Sequence, residues 1–130
     1  MANRSEDWLA QAMRDLEHAR DARASGRHEW ACFAAQQAAE KALKGLHLHL
    51  GQEAWGHVVA NLLRELTVDV PEDLIEKAHV LDTHYIPTRY PNSHAEGSPF
   101  EHYGDRQSEE AIALAGEIVG FAGDQMAGEG

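Results

Sequence analysis

The sequence predicts an all-α fold, an up-and-down bundle of four long helices and one short helix, from three features. Apolar residues recur every three or four positions along most of the chain, the period of a helix with one buried face. Alanine, leucine and glutamate are frequent and only four prolines occur, a composition that favours helix. Hydrophobic residues make up 43% of the 130 residues, so a globular core is expected in a single domain spanning residues 1–130.

The first helix is predicted over residues 5–25. Asn3 or Ser5 is expected to cap its start, and Gly26 to end it. Its apolar stripe consists of Leu9, Ala12, Leu16 and Ala19.

The second helix is predicted from Arg27 to Leu50, with Gly51 as its stop. Small residues, Gly45 among them, predict close packing against another helix. Its apolar track consists of Cys32, Ala35, Ala39, Leu43, Leu46 and Leu50.

A short third helix is predicted over residues 57–67, and a fourth helix begins at Pro71, a residue suited to the first helical position. Pro87 lacks a backbone N–H, so the fourth helix should end near Ile86. Its apolar face consists of Leu74, Ala78, Leu81 and Tyr85.

The last third of the chain predicts a long loop and a final helix. Residues 87–104 are rich in proline and glycine and form an irregular connection, a kind of segment that often carries function. The final helix is predicted over residues 105–122, and residues 123–130 are expected to fray.

The net charge of −11 arises wholly in the second part of the chain. Residues 1–50 hold seven basic and seven acidic side chains, whereas residues 51–130 hold four and fifteen. Because phosphate contacts depend on lysine and arginine, any RNA contact is expected to be local, at a few arginines. The acidic surface could equally meet a basic partner or keep the protein in solution.

Composition also predicts a cytoplasmic protein with no membrane association. No apolar run reaches the length of about 18 residues that a membrane span needs, and the N-terminal residues do not look like a secretory signal, so none is expected. Cys32 is the one cysteine, which excludes an internal disulfide and a cysteine-based zinc site. Cys32 lies in an apolar stretch and is interpreted as a buried, inert thiol.

Arg89 and His94 are the candidate catalytic pair. An arginine fork can bind a phosphate and stabilise charge that develops on it. A histidine can transfer a proton to or from a ribose hydroxyl near neutral pH. Arg89 and His94 are five positions apart. A surface arginine and an unrelated loop histidine could have the same spacing, and that alternative stays open.

Two separated segments resemble the HEPN family of small helical bundles. Residues 81–91, L-D-x-x-Y-I-P-T-R-Y-P, are similar to the signature of one HEPN subgroup, and residues 33–46, F-A-A-Q-Q-A-A-E-K-A-L-K-G-L, resemble the other hallmark segment. The early D-W-L-x-Q-A at residues 7–12 also looks like this family, so the resemblance covers nearly the whole chain.

The resemblance implies a four- or five-helix bundle that is commonly a homodimer. Many members are ribonuclease toxins that use an arginine and a histidine, and many are encoded beside a minimal nucleotidyltransferase that acts as antitoxin. Carried over, Arg89 would hold the phosphate and His94 would be the acid or base. In one toxin subgroup the partner adenylylates a tyrosine two positions after the histidine; Glu96 occupies that position here.

Four further residues are candidates for a supporting or nucleotide-binding role. Glu40 and Lys44 are either a surface ion pair or line a cleft facing residues 82–89. Asp82 either orients an arginine or forms a structural ion pair. Tyr90 is either a base-stacking platform or a packing residue.

No cofactor and no metal site are expected. The spacing of the nine histidines does not match the i,i+4 pair of a zinc-binding helix. Several histidines are interpreted as ordinary surface or helix-end residues: His18, His28, His57 and His102.

The predicted function is a metal-independent endoribonuclease of a toxin–antitoxin pair. The first alternative is a non-catalytic nucleotide-binding module that works with a nucleotidyltransferase. The second is a structural helical partner that docks through its acidic residues 101–117.

Overall fold

The computed structural model describes residues 4–128, which form five α-helices and two single turns of 3-10 helix. The 3-10 turns span Pro91–Ser93 and Pro99–Glu101, and no strand occurs in the described residues. The predicted all-α bundle of four long helices and one short helix is confirmed. The α-helices are α1 Ser5–Ala24, α2 His28–His49, α3 Val59–Arg64, α4 Glu72–Asp82 and α5 Asp105–Gly128.

Helix α2 lies at the centre of the bundle and packs against all four other α-helices. Helices α1 and α5 contact each other beside it, while α4 contacts α3 and α5. The predicted apolar track of α2 is buried from Cys32 to Leu46, and Leu50 packs against the same core at its end. The largest fully buried apolar side chains come from α2 to α5: Leu43, Leu46, Leu62, Leu63, Leu81 and Ile118.

Glycine ends the first two helices as predicted. Gly26 and Gly51 have φ values of 78° and 75°, in the left-handed region that costs an L side chain energy. In each case the next residue donates its N–H to a carbonyl five residues back, Ala22 or His47, at 2.8 Å. These Schellman motifs satisfy carbonyls that a helix end leaves without a donor.

The start of α1 differs from the prediction. Arg4 precedes the helix and no side chain caps it, while Ser5 is the first helical residue rather than the cap. Asn3, the other predicted cap, lies outside the described residues.

Helix α4 ends at Asp82, four residues before the predicted end at Ile86. The hydroxyl of Thr83 donates to the Val80 carbonyl at 2.6 Å, and the N–H of His84 donates to the Leu81 carbonyl at 2.9 Å. These short-range hydrogen bonds satisfy the last carbonyls of α4, so the helix ends before Pro87. Tyr85 therefore lies outside the helix whose apolar face it was predicted to continue.

Helix α5 continues to Gly128, past the predicted end at Ala122. Phe121 and Met126 are partly buried against the core, and this packing extends the helix despite its glycines. Residues 123–128 are thus helical, while residues 129–130 of the predicted frayed tail lie outside the described residues.

The tryptophans are more exposed than a core role would allow. Trp8, Trp30 and Trp55 are 37%, 47% and 79% exposed. The sequence leaves two interpretations for these large aromatic residues, core packing or anchoring of a dimer interface. Core packing is wrong, and the interface stays a prediction.

Cys32 is buried, as predicted. Burial raises the pKa of its thiol to about 12, so the reactive thiolate is not formed near neutral pH. No helix among residues 4–128 has the length and apolar character to cross a membrane.

Close contact between α1 and α2 is possible because residue 45 is glycine. A Cβ at Gly45 would lie 2.9 Å from the Ser5 carbonyl oxygen and 3.1 Å from the Trp8 Cβ. The first of these is a backbone atom and cannot move without shifting α1. The predicted close approach of another helix at this position is confirmed.

We expect Gly45→Ala to destabilise the protein by about 1–3 kcal/mol, because overpacking outweighs the gain in helix propensity of about 1 kcal/mol. Gly120→Ala is the matched control, since a Cβ at Gly120 meets nothing within 4 Å. The free energy of unfolding of Gly120→Ala should be about 0.5–1 kcal/mol higher than that of wild type. Urea unfolding followed by circular dichroism measures both, and a stabilised Gly45→Ala variant would contradict the close contact.

Candidate functional site

A tight turn after α4 positions Arg89. The Arg89 N–H donates to the Ile86 carbonyl at 3.0 Å, closing a turn with Pro87 in its second position, where proline is favoured. The buried Thr88 hydroxyl donates to the His84 carbonyl at 2.7 Å and fixes the turn from within. Arg89 is therefore placed by a turn and not by a continuation of α4.

The guanidinium of Arg89 is held by a carbonyl and three aromatic rings. Its Nε donates to the Tyr85 carbonyl at 2.9 Å. Its Cζ lies 4.3 Å from the ring centre of Phe33, 4.7 Å from that of Tyr85 and 5.2 Å from that of Tyr90. Within residues 4–128 no carboxylate pairs with Arg89, so its two terminal nitrogens can donate to an anion.

Tyr90 contacts Arg89 and is 47% exposed. It thus packs against the guanidinium and still presents a ring surface to solvent. Its proposed use as a base-stacking platform stays a prediction.

Glu40 is a buried carboxylate on α2, only 4% exposed. Lys44 Nζ donates to Glu40 Oε2 at 3.1 Å, and Gln36 Nε2 donates to Oε1 at 3.3 Å. The side chain of Lys44 is itself 17% exposed. The interpretation of this pair as solvated surface is therefore wrong.

His57 is a partner of Glu40 that lies outside α2. Its Nδ1 lies 3.2 Å from Oε1 and 3.1 Å from Oε2 of the carboxylate. Gln36 Nε2 also donates to the His57 backbone carbonyl at 3.0 Å, so α2 holds both the ring and the backbone of His57. The imidazole stacks on the Tyr85 ring with centres 4.8 Å apart and an interplanar angle of 18°.

These contacts form one cluster, which we call the Arg89 cluster: Phe33, Glu40, His57, Tyr85, Arg89 and Tyr90. Sequence reasoning missed His57, which it treated as an ordinary helix-end residue. The available signal was indirect. A carboxylate on the same helix as an apolar track needs partners if it is buried, and His57 precedes the short helix that packs on α2.

His94 belongs to a second group of rings. Its Nε2 donates to the Pro87 carbonyl at 2.7 Å, and its ring stacks on His102 with centres 4.2 Å apart and planes within 3°. Tyr103 lies edge-on to the His94 ring at 6.2 Å. Across residues 4–128 no hydrogen bond or ring contact joins His94 to Arg89, so the predicted pair is not in direct contact.

A buried histidine, His84, packs against this second group of rings. His84 is 7% exposed, lies edge-on to Tyr103 at 5.7 Å, and neither ring nitrogen has a hydrogen-bond partner in the described part of the chain. Burial lowers the pKa of His84, which keeps the ring neutral near pH 7. His84 therefore acts as a packing residue beneath the loop.

Asp82 caps the short helix α3. Its carboxylate accepts the Val59 N–H at 2.6 Å and the Ala60 N–H at 3.2 Å. Burial raises the pKa of Asp82, while these two donors act in the opposite direction. Two interpretations were made from the sequence, an arginine-orienting group and a structural ion pair. Both are wrong, because the carboxylate oxygens accept hydrogen bonds from backbone N–H groups.

We expect Asp82→Ala to destabilise the protein by about 1–2 kcal/mol, since two helix N-terminal donors lose their acceptor. Asp82→Asn, which keeps one carbonyl oxygen, should fall between this variant and wild type. The exposed Asp69 provides the control, and Asp69→Ala should change stability by less than about 0.5 kcal/mol. Chemical unfolding at neutral pH measures all three, and equal midpoints for Asp82→Ala and Asp69→Ala would refute the capping role.

Two surface depressions adjoin His57. One, of about 450 Å³, is lined partly by Asp82, Tyr85 and Pro87; the other, of about 430 Å³, is lined partly by Lys44 and Trp55. Among residues 4–128, no three histidine, cysteine, aspartate or glutamate side chains come together as a metal site would require.

Comparison with known proteins identifies similar sequences and structures. The family model described as the HEPN domain matches residues 5–125. A crystal structure of a Thermus thermophilus protein is 54% identical with a TM-score of 0.93, covering 95% of this chain and 98% of the other. An archaeal HEPN homologue is 43% identical with a TM-score of 0.83, covering 96% of this chain and 99% of the other.

A third solved structure, a HEPN domain protein from Thermotoga maritima, is 34% identical with a TM-score of 0.77. It covers 93% of this chain and 98% of its own. No curated protein matches the chain.

Proposed function

This chain belongs to the HEPN family, and from that premise we propose that it is a metal-independent endoribonuclease of a toxin–antitoxin pair. The observation that carries the proposal is the state of Arg89. Its guanidinium is fixed by the Tyr85 carbonyl and by aromatic rings, yet its terminal nitrogens have no protein acceptor in residues 4–128. A planar cation with two unused donors is suited to a phosphodiester.

The proposed reaction is attack of the ribose 2′-hydroxyl on the adjacent phosphorus. The 2′-oxygen forms a bond to phosphorus, the bond to the 5′-oxygen breaks, and the products are a 2′,3′-cyclic phosphate and a 5′-hydroxyl end. Arg89 would stabilise the negative charge that builds on the phosphate oxygens as the reaction proceeds. One proton leaves the 2′-oxygen and one reaches the 5′-oxygen, so proton-transfer groups are required.

His94 is the residue that the sequence assigns to proton transfer. Because its Nε2 donates to the Pro87 carbonyl, the nitrogen that remains for a substrate is Nδ1. The loop that carries Arg89 also carries His94, so an RNA strand along this loop would meet both side chains. In this role His94 acts in its doubly protonated form: Nδ1 delivers a proton to the leaving 5′-oxygen, while Nε2 keeps its hydrogen bond to the Pro87 carbonyl.

We expect Arg89→Ala to lower RNA cleavage about 100-fold or more, as removal of one donor to a transition-state anion does elsewhere. Arg89→Lys keeps the charge but loses the planar fork of donors. Its cleavage rate should lie between those of wild type and Arg89→Ala. His94→Ala should also lower cleavage by about 100-fold. Purified protein is incubated with tRNA or mRNA in the presence of a chelator, and fragments are quantified on gels.

Arg106→Ala serves as the control, because Arg106 is an exposed arginine on α5, outside the Arg89 cluster. It should cleave like wild type. If wild type, Arg89→Ala and His94→Ala are indistinguishable, the ribonuclease proposal is wrong.

A nucleotide-binding module without RNA turnover is the second candidate function. It is favoured by the depression of about 450 Å³ beside His57 and Tyr85, which adjoins the Arg89 cluster. That function predicts tight binding of ATP or GTP in calorimetric titration, loss of binding in Arg89→Ala, and no cleavage in the assay above.

We further propose that the protein acts as a cytoplasmic homodimer with a minimal nucleotidyltransferase as its antitoxin partner. HEPN proteins are often dimeric, and Trp55, which is 79% exposed, lines a depression next to His57. A dimer formed through this aromatic surface would bring two Arg89 clusters close together. Docking through the acidic residues 101–117 receives less support, since Arg23 already binds Asp105 and Glu109.

We expect Trp55→Glu to convert the dimer to a monomer, because a charge would replace an apolar anchor at the interface. Met13→Glu is the control. Met13 is 56% exposed. It lies on a different side of α1 from Trp8, which is five positions away and lines the same depression as Trp55. Light scattering after gel filtration gives the mass, and a wild-type monomer at micromolar concentration would exclude the dimer.

A further inference from the structure

We infer that Glu40 and His57 form a carboxylate–histidine dyad in which His57 removes the proton from the 2′-hydroxyl of the RNA. This inference rests on the proposed ribonuclease function and adds a catalytic residue to it. The sequence offered only His94 for proton transfer, whereas cleavage of a phosphodiester requires both a base and an acid.

The contact with Glu40 determines which nitrogen of His57 can act as a base. A carboxylate is an acceptor, so the Nδ1 atom at 3.1–3.2 Å from its oxygens carries the hydrogen. In a neutral imidazole the other nitrogen, Nε2, then holds the lone pair. Glu40 thus sets the tautomer that a general base needs and stabilises the imidazolium that forms after proton transfer.

The accessibility of His57 separates it from the structural histidines of the bundle. Its side chain is 54% exposed, and within residues 4–128 only Glu40 bonds to its ring nitrogens. His47 has the opposite arrangement: it is 1% exposed and its Nε2 donates to the Leu62 carbonyl at 2.8 Å. His57 alone of these two presents a free nitrogen to a ligand.

The position of His57 relative to Arg89 fits a single RNA linkage. His57 stacks on the Tyr85 ring at 4.8 Å, and the Arg89 guanidinium lies 4.7 Å from the centre of the same ring. A phosphodiester bound by Arg89 would therefore place its neighbouring ribose beside His57. Tyr85 acts as the positioning residue, because it contacts both groups.

The proton balance of the step is complete. Nε2 of His57 accepts the proton of the 2′-hydroxyl as the 2′-oxygen bonds to phosphorus. The bond between phosphorus and the 5′-oxygen breaks, and the 5′-oxygen takes a proton from His94, which regains one from solvent. His57 then returns its proton to solvent.

We expect His57→Ala and His57→Gln to lower cleavage about 100-fold or more, with binding of a 2′-deoxy RNA analogue changed by less than about threefold. Imidazole added to the buffer should restore activity to His57→Ala and leave His57→Gln unchanged. Glu40→Gln should retain the fold and lose at least about tenfold in rate. His49→Ala, at the end of α2, is the control and should behave like wild type.

A structural role for His57 would be visible in these measurements. It would give altered circular dichroism or weaker analogue binding in His57→Ala, with no rescue by imidazole, and it would overturn the inference. So would an imidazole nitrogen NMR spectrum in which His57 carries its hydrogen on Nε2, a measurement independent of activity.

The assay also separates this inference from the function on which it depends. Full cleavage by His57→Ala together with inactive Arg89→Ala would overturn the base assignment and leave the ribonuclease intact. No cleavage by wild type would overturn both.

Discussion

The arrangement of the candidate site depends on one carboxylate, Glu40, which the packing of α2 removes from water. A buried charge of this kind is costly unless partners surround it. Lys44, Gln36 and Gln37 supply part of that compensation from the same helix. His57 supplies the rest from the segment before α3. The need to pair Glu40 therefore fixes an imidazole at the surface, and Tyr85 stacks on that imidazole.

The helical framework could be predicted because its causes are local. The spacing of small and apolar residues along α2 indicates which side is buried, and Gly26 and Gly51 mark ends that need a left-handed residue. The end of α4 was predicted less well, because the Thr83 hydroxyl satisfies a helix carbonyl ahead of Pro87. The end of α5 depends on Phe121 and Met126 meeting the core, which periodicity alone does not reveal.

The candidate site was predictable only where its chemistry is carried by a single residue. Arg89 could be predicted as a phosphate-binding candidate from its own chemistry. Its contact with Phe33 could not, because the two positions are 56 residues apart in the chain. Glu40 and His57 are 17 positions apart and meet only when α3 folds onto α2. A charged partner was predicted for Asp82, whereas its carboxylate accepts hydrogen bonds from the backbone N–H groups of Val59 and Ala60 in α3.

The way Arg89 is held affects how a ligand would be recognised. A free arginine side chain loses about 2 kcal/mol of rotamer entropy when it is immobilised. Here the Tyr85 carbonyl and the surrounding rings already restrict the side chain through contacts within the protein. A phosphate bound as proposed would therefore meet a preorganised guanidinium, and complex formation would need little rearrangement of the protein.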